Sequence, residues 1–233
     1  MNTILIAFLA IVIIVTIVYA VSYATADYLI TDATSLHFGE KTADERPTIK
    51  STLLDNPGSS RYYYAGWFFI NSNQKIEQEN ILFNRGNDFV VTLKSSTLNL
   101  YVNGGTVDDT KGVIDPTNAA KLISVPDFPF QRWAQLVINV DGMSVDLYID
   151  GKFVQSATHS KTINSSADNA ISYGNKFIIA KVARFKRPAE NINPQGVWNE
   201  FMKGSGQGQS MTNYHLNAIV TKKERQTMNK RVF

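Results

Sequence analysis

Cysteine is absent from this chain of 233 residues. That excludes a disulfide framework, a thiolate metal site and a cysteine nucleophile, and it leans towards a reducing compartment or a cytosol-assembled particle. Histidine is scarce: His37, His159 and His215 are far apart, with no HExxH and no i,i+4 pair, so no zinc site is expected. A Gly-x-Ser-x-Gly elbow is missing as well. The stretch GSGQG at 204–208 lacks a Gly-Lys-Ser/Thr and the flanking strand and helix of a phosphate loop, so it reads as a linker. No cofactor is expected. Charge is missing altogether from residues 4–26, which read ILIAFLAIVIIVTIVYAVSYATA.

That uncharged run has the length of a membrane helix, since about 20 apolar residues at ~1.5 Å each cross a bilayer core. In hydrocarbon the backbone must satisfy itself, so even β-branched residues are expected to be helical. Tyr19 and Tyr23 lie one turn apart near the far end, where amphipathic rings suit the headgroup level. The competing reading is a cleaved signal peptide with Ala24-Thr25-Ala26 as its cleavage site. The run is longer than a secretory h-region of ~7–15 residues, and Met1-Asn2-Thr3 carries no Lys or Arg. An uncleaved anchor is therefore expected, built on Ile4, Leu5, Phe8, Leu9, Ile11, Val12, Ile13, Ile14, Val15, Ile17, Val18 and Tyr19. Its orientation is open, because no Lys or Arg precedes Lys41.

The net charge of +3 hides an asymmetry. Residues 1–180 hold 13 Lys and Arg against 17 Asp and Glu, whereas residues 181–233 hold 10 against 3. Lys222, Lys223, Arg225, Lys230 and Arg231 concentrate the excess at the C-terminal end. Such an end suits an acidic protein neighbour, anionic lipid or nucleic acid, or is simply a solvated tail. A sequon, Asn164-Ser165-Ser166, is also present.

After a polar stretch at 27–46 the pattern is one of short strands. Residues 62–70 (YYYAGWFFI) are aromatic and β-prone, as a strand covered on both faces would be. Residues 81–83, 89–93, 98–102 and 177–185 are further strands, with 219–220 as a last candidate, and turn-forming residues separate the first three. The strongest signal is WAQLVINV-DG-MSVDLYI-DG-KFVQSAT, in which two Asp-Gly pairs mark hairpins of the primed type. Leu136, Ile138 and Val140 share a face, as do Val145, Leu147 and Ile149, which predicts a meander with one wet and one dry side. One short helix is predicted: Asn193 as N-cap, Pro194 at the first position, Val197 and Phe201 as an apolar pair beside Trp198, and a stop at Gly204. Many short strands with turns between them indicate a β-sandwich.

Four pieces in order, YAGWFF at 64–69, ILFNRG at 81–86, the hairpin from Trp133 to the run LYIDGK at 147–152, and IIAKVARF at 178–185, resemble the concanavalin A-like lectin/glucanase superfamily in its laminin-G-like form. Downstream, Arg187-Pro188, NPQGVWNEFMKG at 193–204, YHLN at 214–217 and TKK at 221–223 are similar to the ends of concanavalin A-like proteins from large DNA viruses. The first resemblance implies an all-β jelly-roll sandwich, here with one short helix and a preceding transmembrane helix. The second implies a minor capsid protein of a virion, seated in the internal membrane beneath the capsid.

Glucanases of that superfamily carry closely spaced carboxylates on one strand. Here the glutamates are 40, 45, 77, 79, 190, 200 and 224, none in such an arrangement. Glu77 and Glu79 fall in a polar loop, Asp150 belongs to its turn, and Asp146 is expected to face solvent. Asp88 stands near the calcium position of some laminin-G-like domains, but no second carboxylate is placed beside it, so no metal is expected. No catalytic residue is expected. For sugar stacking, Tyr62, Tyr63, Tyr101, Tyr148 and Tyr173 are available, although packing within strands accounts for each.

The resulting organisation is an anchor at 1–26, a connector at 27–46, a sandwich at 47–220 and a basic segment at 221–233. The expected work is structural, tethering a membrane to a protein shell, with the lipid membrane and capsid or coat proteins as partners and no nucleic acid. A membrane-displayed carbohydrate-binding module with a glycan partner is the alternative, and a diverged glycoside hydrolase the second.

Overall fold

The computed structural model of the protein describes residues 12–16, 36–38, 47–102, 106–108, 113–115, 120–163, 166–175 and 177–206. Residues 12–16 are helical, and Thr16 Oγ1 donates to the Val12 carbonyl. Among the described residues no helix is long and apolar enough to cross a membrane. Most of the expected anchor, the sequon's Asn164, residues 219–220 and the basic segment with Lys222, Lys223, Arg225, Lys230 and Arg231 lie outside the described residues.

Among the described residues fourteen strands and one α-helix follow: β1 (Leu36–Phe38), β2 (Thr48–Ile49), β3 (Arg61–Asn73), β4 (Asn80–Arg85), β5 (Phe89–Lys94), β6 (Thr97–Val102), β7 (Thr106–Asp108), β8 (Val113–Asp115), β9 (Ala120–Val125), β10 (Trp133–Asp141), β11 (Ser144–Ile149), β12 (Lys152–Thr158), β13 (Ile171–Tyr173), β14 (Ile178–Lys186) and α1 (Pro194–Met202). Two six-stranded antiparallel sheets form a sandwich, sheet 1 in the order β1-β14-β3-β10-β11-β12 and sheet 2 in the order β2-β13-β4-β5-β6-β9. β7 and β8 make a separate hairpin. Residues 36–38, within the stretch read as a connector, pair with β14 at the edge of sheet 1.

Alternation along each strand builds the core. On β3, Tyr62, Tyr64, Phe68 and Ile70 point between the sheets, where they meet Phe83 and Phe89 from sheet 2 and Phe185 from β14. Rings meet edge-on, tilted or stacked, as with Phe83 and Phe185 at 5.3 Å and 73°, Tyr64 and Phe89 at 4.9 Å and 39°, and Phe68 and Phe83 at 5.9 Å and 11°. Offset and edge arrangements suit the ring quadrupoles and add about 0.5–1.5 kcal/mol per pair to burial. Gly66 occupies an inward position, where a Cβ would lie 2.8 Å from Phe185 Cδ2, so the missing side chain is the room for that ring.

The interior also holds two arginines. Arg85 and Arg187 are fully buried beside Tyr62, Tyr64 and Tyr173. Arg85 donates to the carbonyls of Pro57 (2.7 Å), Ser166 (3.1 Å) and Asn169 (3.2 Å), and Arg187 to those of Asp55 (2.8 Å) and Asn56 (3.2 Å). Planar guanidinium forks thus gather the loops at one end of the sandwich, which a single ammonium cannot do.

The two Asp-Gly hairpins differ. At Asp150–Gly151 both residues have positive φ (50° and 74°), as the primed turn requires. At the other, Asp141 stays in β10 opposite Ser144, and the turn is Gly142–Met143 with positive φ at Gly142. Asp141 keeps its strand position and accepts from Arg61 Nε at 2.9 Å.

The expected wet side of the β10–β11 meander is dry. Gln135, Val137, Asn139 and Tyr148, on the face opposite the core, are all buried. The chain from Arg187 onward crosses that face and covers it.

Candidate functional site

The covering segment is held by backbone and cap. Pro188 O accepts from Tyr63 N at 3.3 Å, and Asn139 Oδ1 accepts from Ile192 N at 3.1 Å. Asn193 then caps α1, its Oδ1 accepting from Gly196 N at 2.7 Å, and Pro194 opens the helix where no amide donor is needed. Val197 packs on Tyr63, Ala65, Val137 and Tyr148, and Phe201 stacks on Trp67 at 5.5 Å and 20°. The predicted helix forms as expected and covers the outer face of sheet 1. Its two flanks carry different chemistry.

The β12 flank is aromatic and open. Gly151 allows the contact: a Cβ there would lie 3.0 Å from both Phe201 Cβ and Trp198 Cε3. Trp198 remains 42% exposed, Met202 40% and Phe153 58%. Phe153 stands edge-on to Tyr148 with ring centres 5.6 Å apart. Amides flank the rings, with Gln195 Nε2 donating to Asn199 Oδ1 at 3.0 Å. The sequence pattern places Trp198 beside the Val197–Phe201 pair and does not single out Phe153, because nothing local says that the edge strand β12 leaves its face uncovered.

The β14 flank is polar and encloses a cavity of about 50 Å³, lined by Trp67, Gln135, Arg184, Lys186, Glu200 and Lys203. Glu200 Oε1 receives Lys186 Nζ at 3.0 Å and Lys203 Nζ at 2.7 Å, and Arg184 Nη1 donates to the Lys203 carbonyl at 3.1 Å.

The tyrosines considered for sugar stacking do not serve it. Tyr62, Tyr63, Tyr101, Tyr148 and Tyr173 are all buried, because both faces of both sheets are covered where they sit. Burial pushes the Tyr64, Tyr101, Tyr148 and Tyr173 hydroxyls above the ordinary tyrosine pKa, aided at Tyr101 by Glu79 and at Tyr148 by Asp146.

The carboxylates are dispersed. Glu79 lies over the outer face of sheet 2, accepting from Tyr101 OH (2.6 Å), Thr92 Oγ1 (3.2 Å) and Asn99 Nδ2 (3.4 Å), with Lys121 Nζ at 3.5 Å. Glu77 is exposed. Asp146 accepts from Ser156 Oγ at 2.7 Å, and Asp150 from Gln135 N at 2.9 Å while pairing with Arg132 at 2.7 Å. Asp88 Oδ2 accepts from Ser166 N and Asn169 Nδ2, both at 2.8 Å, so it ties loops together. Among the described residues no three His, Cys, Asp or Glu converge on a metal-sized position.

No family model matches the chain, and no curated protein matches it. Solved structures do. The binding domain of botulinum neurotoxin serotype D/C aligns with a TM-score of 0.56 at 15% identity, over 75% of this chain and 44% of that one. The neurotoxin DC binding domain in complex with rat synaptotagmin II gives 0.54 at 14%, over 75% and 43%. The serotype D ligand-binding domain in complex with N-acetylneuraminic acid gives 0.53 at 11%, over 72% and 42%. The chain thus spans less than half the length of each of these proteins, and what the likeness establishes is the fold, a jelly-roll β-sandwich.

Proposed function

We propose that the chain is a non-catalytic binding module, held at a membrane by residues 4–26, whose sandwich docks on a neighbouring protein. The observation that carries this reading is the open aromatic flank of α1, where Trp198, Met202 and Phe153 are presented together. Exposed Trp beside other large apolar side chains is the composition of interface anchors, which contribute most of the binding energy in protein contacts. The fold supports a binding role by analogy only: the neurotoxin domains of similar fold are named as binding or ligand-binding domains. Carboxylates that are apart from one another and engaged in loop-holding bonds favour a binder over a glycosidase, whose two acids must flank one bond.

In its specific form the reading follows the resemblance to virion proteins of large DNA viruses: a minor capsid protein tethering the internal membrane to the shell. The anchor holds one end, and the sandwich together with Lys222, Lys223, Arg225, Lys230 and Arg231 docks on the capsid side. Photo-cross-linking from position 153 or 198 in the native membrane-bearing particle tests it. Reproducible links to coat proteins support the tether; an unlinked but membrane-bound protein overturns it.

A second reading, glycan binding, is favoured by the same flank, since Gln195 and Asn199 place amides beside an exposed indole. One of the neurotoxin domains of similar fold is described in complex with N-acetylneuraminic acid. Glycan binding by the full chain that is lost in Trp198→Ala, without links to coat proteins, selects this reading over the tether.

A further inference from the structure

The β14 flank of α1 points to a second, independent site. Gln135 is 2% exposed, its side chain lines the cavity, and its Oε1 makes no hydrogen bond. A buried amide oxygen without a partner costs about as much as a hydrogen bond is worth, and such groups mark positions where something else binds. Around the same cavity stand three cations, Arg184, Lys186 and Lys203, against one carboxylate, Glu200. Glu200 is engaged by both lysines through a single oxygen.

The backbone at Arg184 adds a third observation. β14 carries one extra residue between Ala183, opposite Trp67, and Lys186, opposite Ala65. Arg184 has φ of +49°, in the left-handed region that a long side chain rarely occupies. Bulges of this kind re-aim a side chain and recur beside binding sites. Without the extra residue Arg184 would follow strand alternation; with it, the guanidinium meets the C-terminal end of α1 at the mouth of the cavity, where one N–H reaches the Lys203 carbonyl. Its fork has further donors to offer.

We propose that this cavity binds a carboxylate. The group would sit between Arg184 and Lys203, and a half-turn of the Gln135 amide would present its NH₂ donors in place of the unpartnered oxygen. The cavity has room for a carboxylate group, and the rest of the ligand lies outside it. The site is separate from the Trp198–Phe153 flank, across the width of the helix, and stands or falls independently of the docking described above.

The test is calorimetric titration of the full chain in detergent micelles with sodium acetate at low ionic strength, with sodium chloride as the control salt. Acetate is expected to bind saturably and to raise the melting temperature beyond the chloride control. Arg184→Ala and Lys203→Ala are each expected to weaken it about tenfold, as the loss of one charge-assisted hydrogen bond implies. Gln135→Leu, which removes the amide and fills its volume with an apolar group, is expected to abolish binding while the protein still melts cooperatively. Arg184→Lys keeps the charge and loses the fork, so a partial loss is expected should Arg184→Ala fail to fold. Glucuronate and N-acetylglutamate then separate an acidic sugar from an acidic side chain as the source of the group, and tighter binding of either supports the site. Acetate indistinguishable from chloride, or unchanged acetate affinity in Gln135→Leu, would show that the cavity holds water only.

Discussion

The guanidinium of Arg187 lies over the ring of Tyr62, its central carbon 4.3 Å from the ring centroid, in the interior of the sandwich. Burial lowers the pKa of Arg187, and the nearby tyrosine rings offset part of that cost. Its N–H groups reach the carbonyls of Asp55 and Asn56, with Pro57 and Ser59 at 3.4 and 3.5 Å. Arg187→Leu is expected to destabilise the domain by about 3 kcal/mol or more, since it leaves several buried carbonyls without donors. Arg187→Lys is expected to recover little of this, because an ammonium cannot span the same carbonyls. Urea denaturation of both variants checks the pair; near-parental stability of the lysine variant would refute the role of the fork.

Gly66→Ala places a methyl group 2.8 Å from Phe185 Cδ2, closer than carbon atoms tolerate. Phe185 is packed against Tyr64, Phe68, Phe83 and Tyr173, so its ring has little room to yield. A loss of about 1–3 kcal/mol is expected from this overpacking. Coupling Gly66→Ala with Phe185→Leu should recover part of the loss, which thermal melting of the double variant measures.

Tyr64, Tyr101 and Tyr173 have hydroxyl pKa values raised by burial, so the folded protein keeps their protons where the unfolded chain releases them. The stability they contribute is intact below pH ~10 and falls as pH rises beyond that, by about 1.4 kcal/mol per pH unit for each. The expected result is flat stability up to that point and a steep decline above it, with phenolate absorbance of these residues appearing together with unfolding. Ionisation of all ten tyrosines before unfolding would contradict it.

Phe153 is mostly exposed and its ring contact is with Tyr148. Phe153→Ser is therefore expected to cost the isolated protein no more than about 1.5 kcal/mol. As an interface anchor the same change is expected to weaken partner binding by about 2 kcal/mol or more. Melting and cross-linking yield, measured on the same variant, separate the two effects.

Much of the fold is legible in the residues. The aromatic run around Trp67 became β3, the LYIDGK run became a hairpin closed by Asp150–Gly151, and Asn193-Pro194 started the helix. Local pattern carried these because each depends on neighbours within a few positions. Strands of two or three residues, such as Thr48–Ile49 and Ile171–Tyr173, have no room for a period and are set by pairing partners far away in sequence. The exposure of Phe153 and the burial of Tyr63 and Tyr148 are likewise decided at a distance. A helix some 50 residues further along the chain than Tyr148 covers one face and stops short of the edge. Arg184 and Gln135 were invisible for the same reason, since a bulge and an empty hydrogen-bond position are properties of the assembled sheet.

β14 pairs with β1 along one edge and with β3 along the other, and it holds α1 over the sheet through Arg184 and Lys186. A pull entering at Leu36–Phe38 and leaving through a partner on the helix therefore crosses a single strand before reaching its exit. In mechanical terms sheet 2 lies off the load path. Its loops are free to vary without weakening the link, while the hydrogen bonds of β14, arranged side by side along the strand, share the tension.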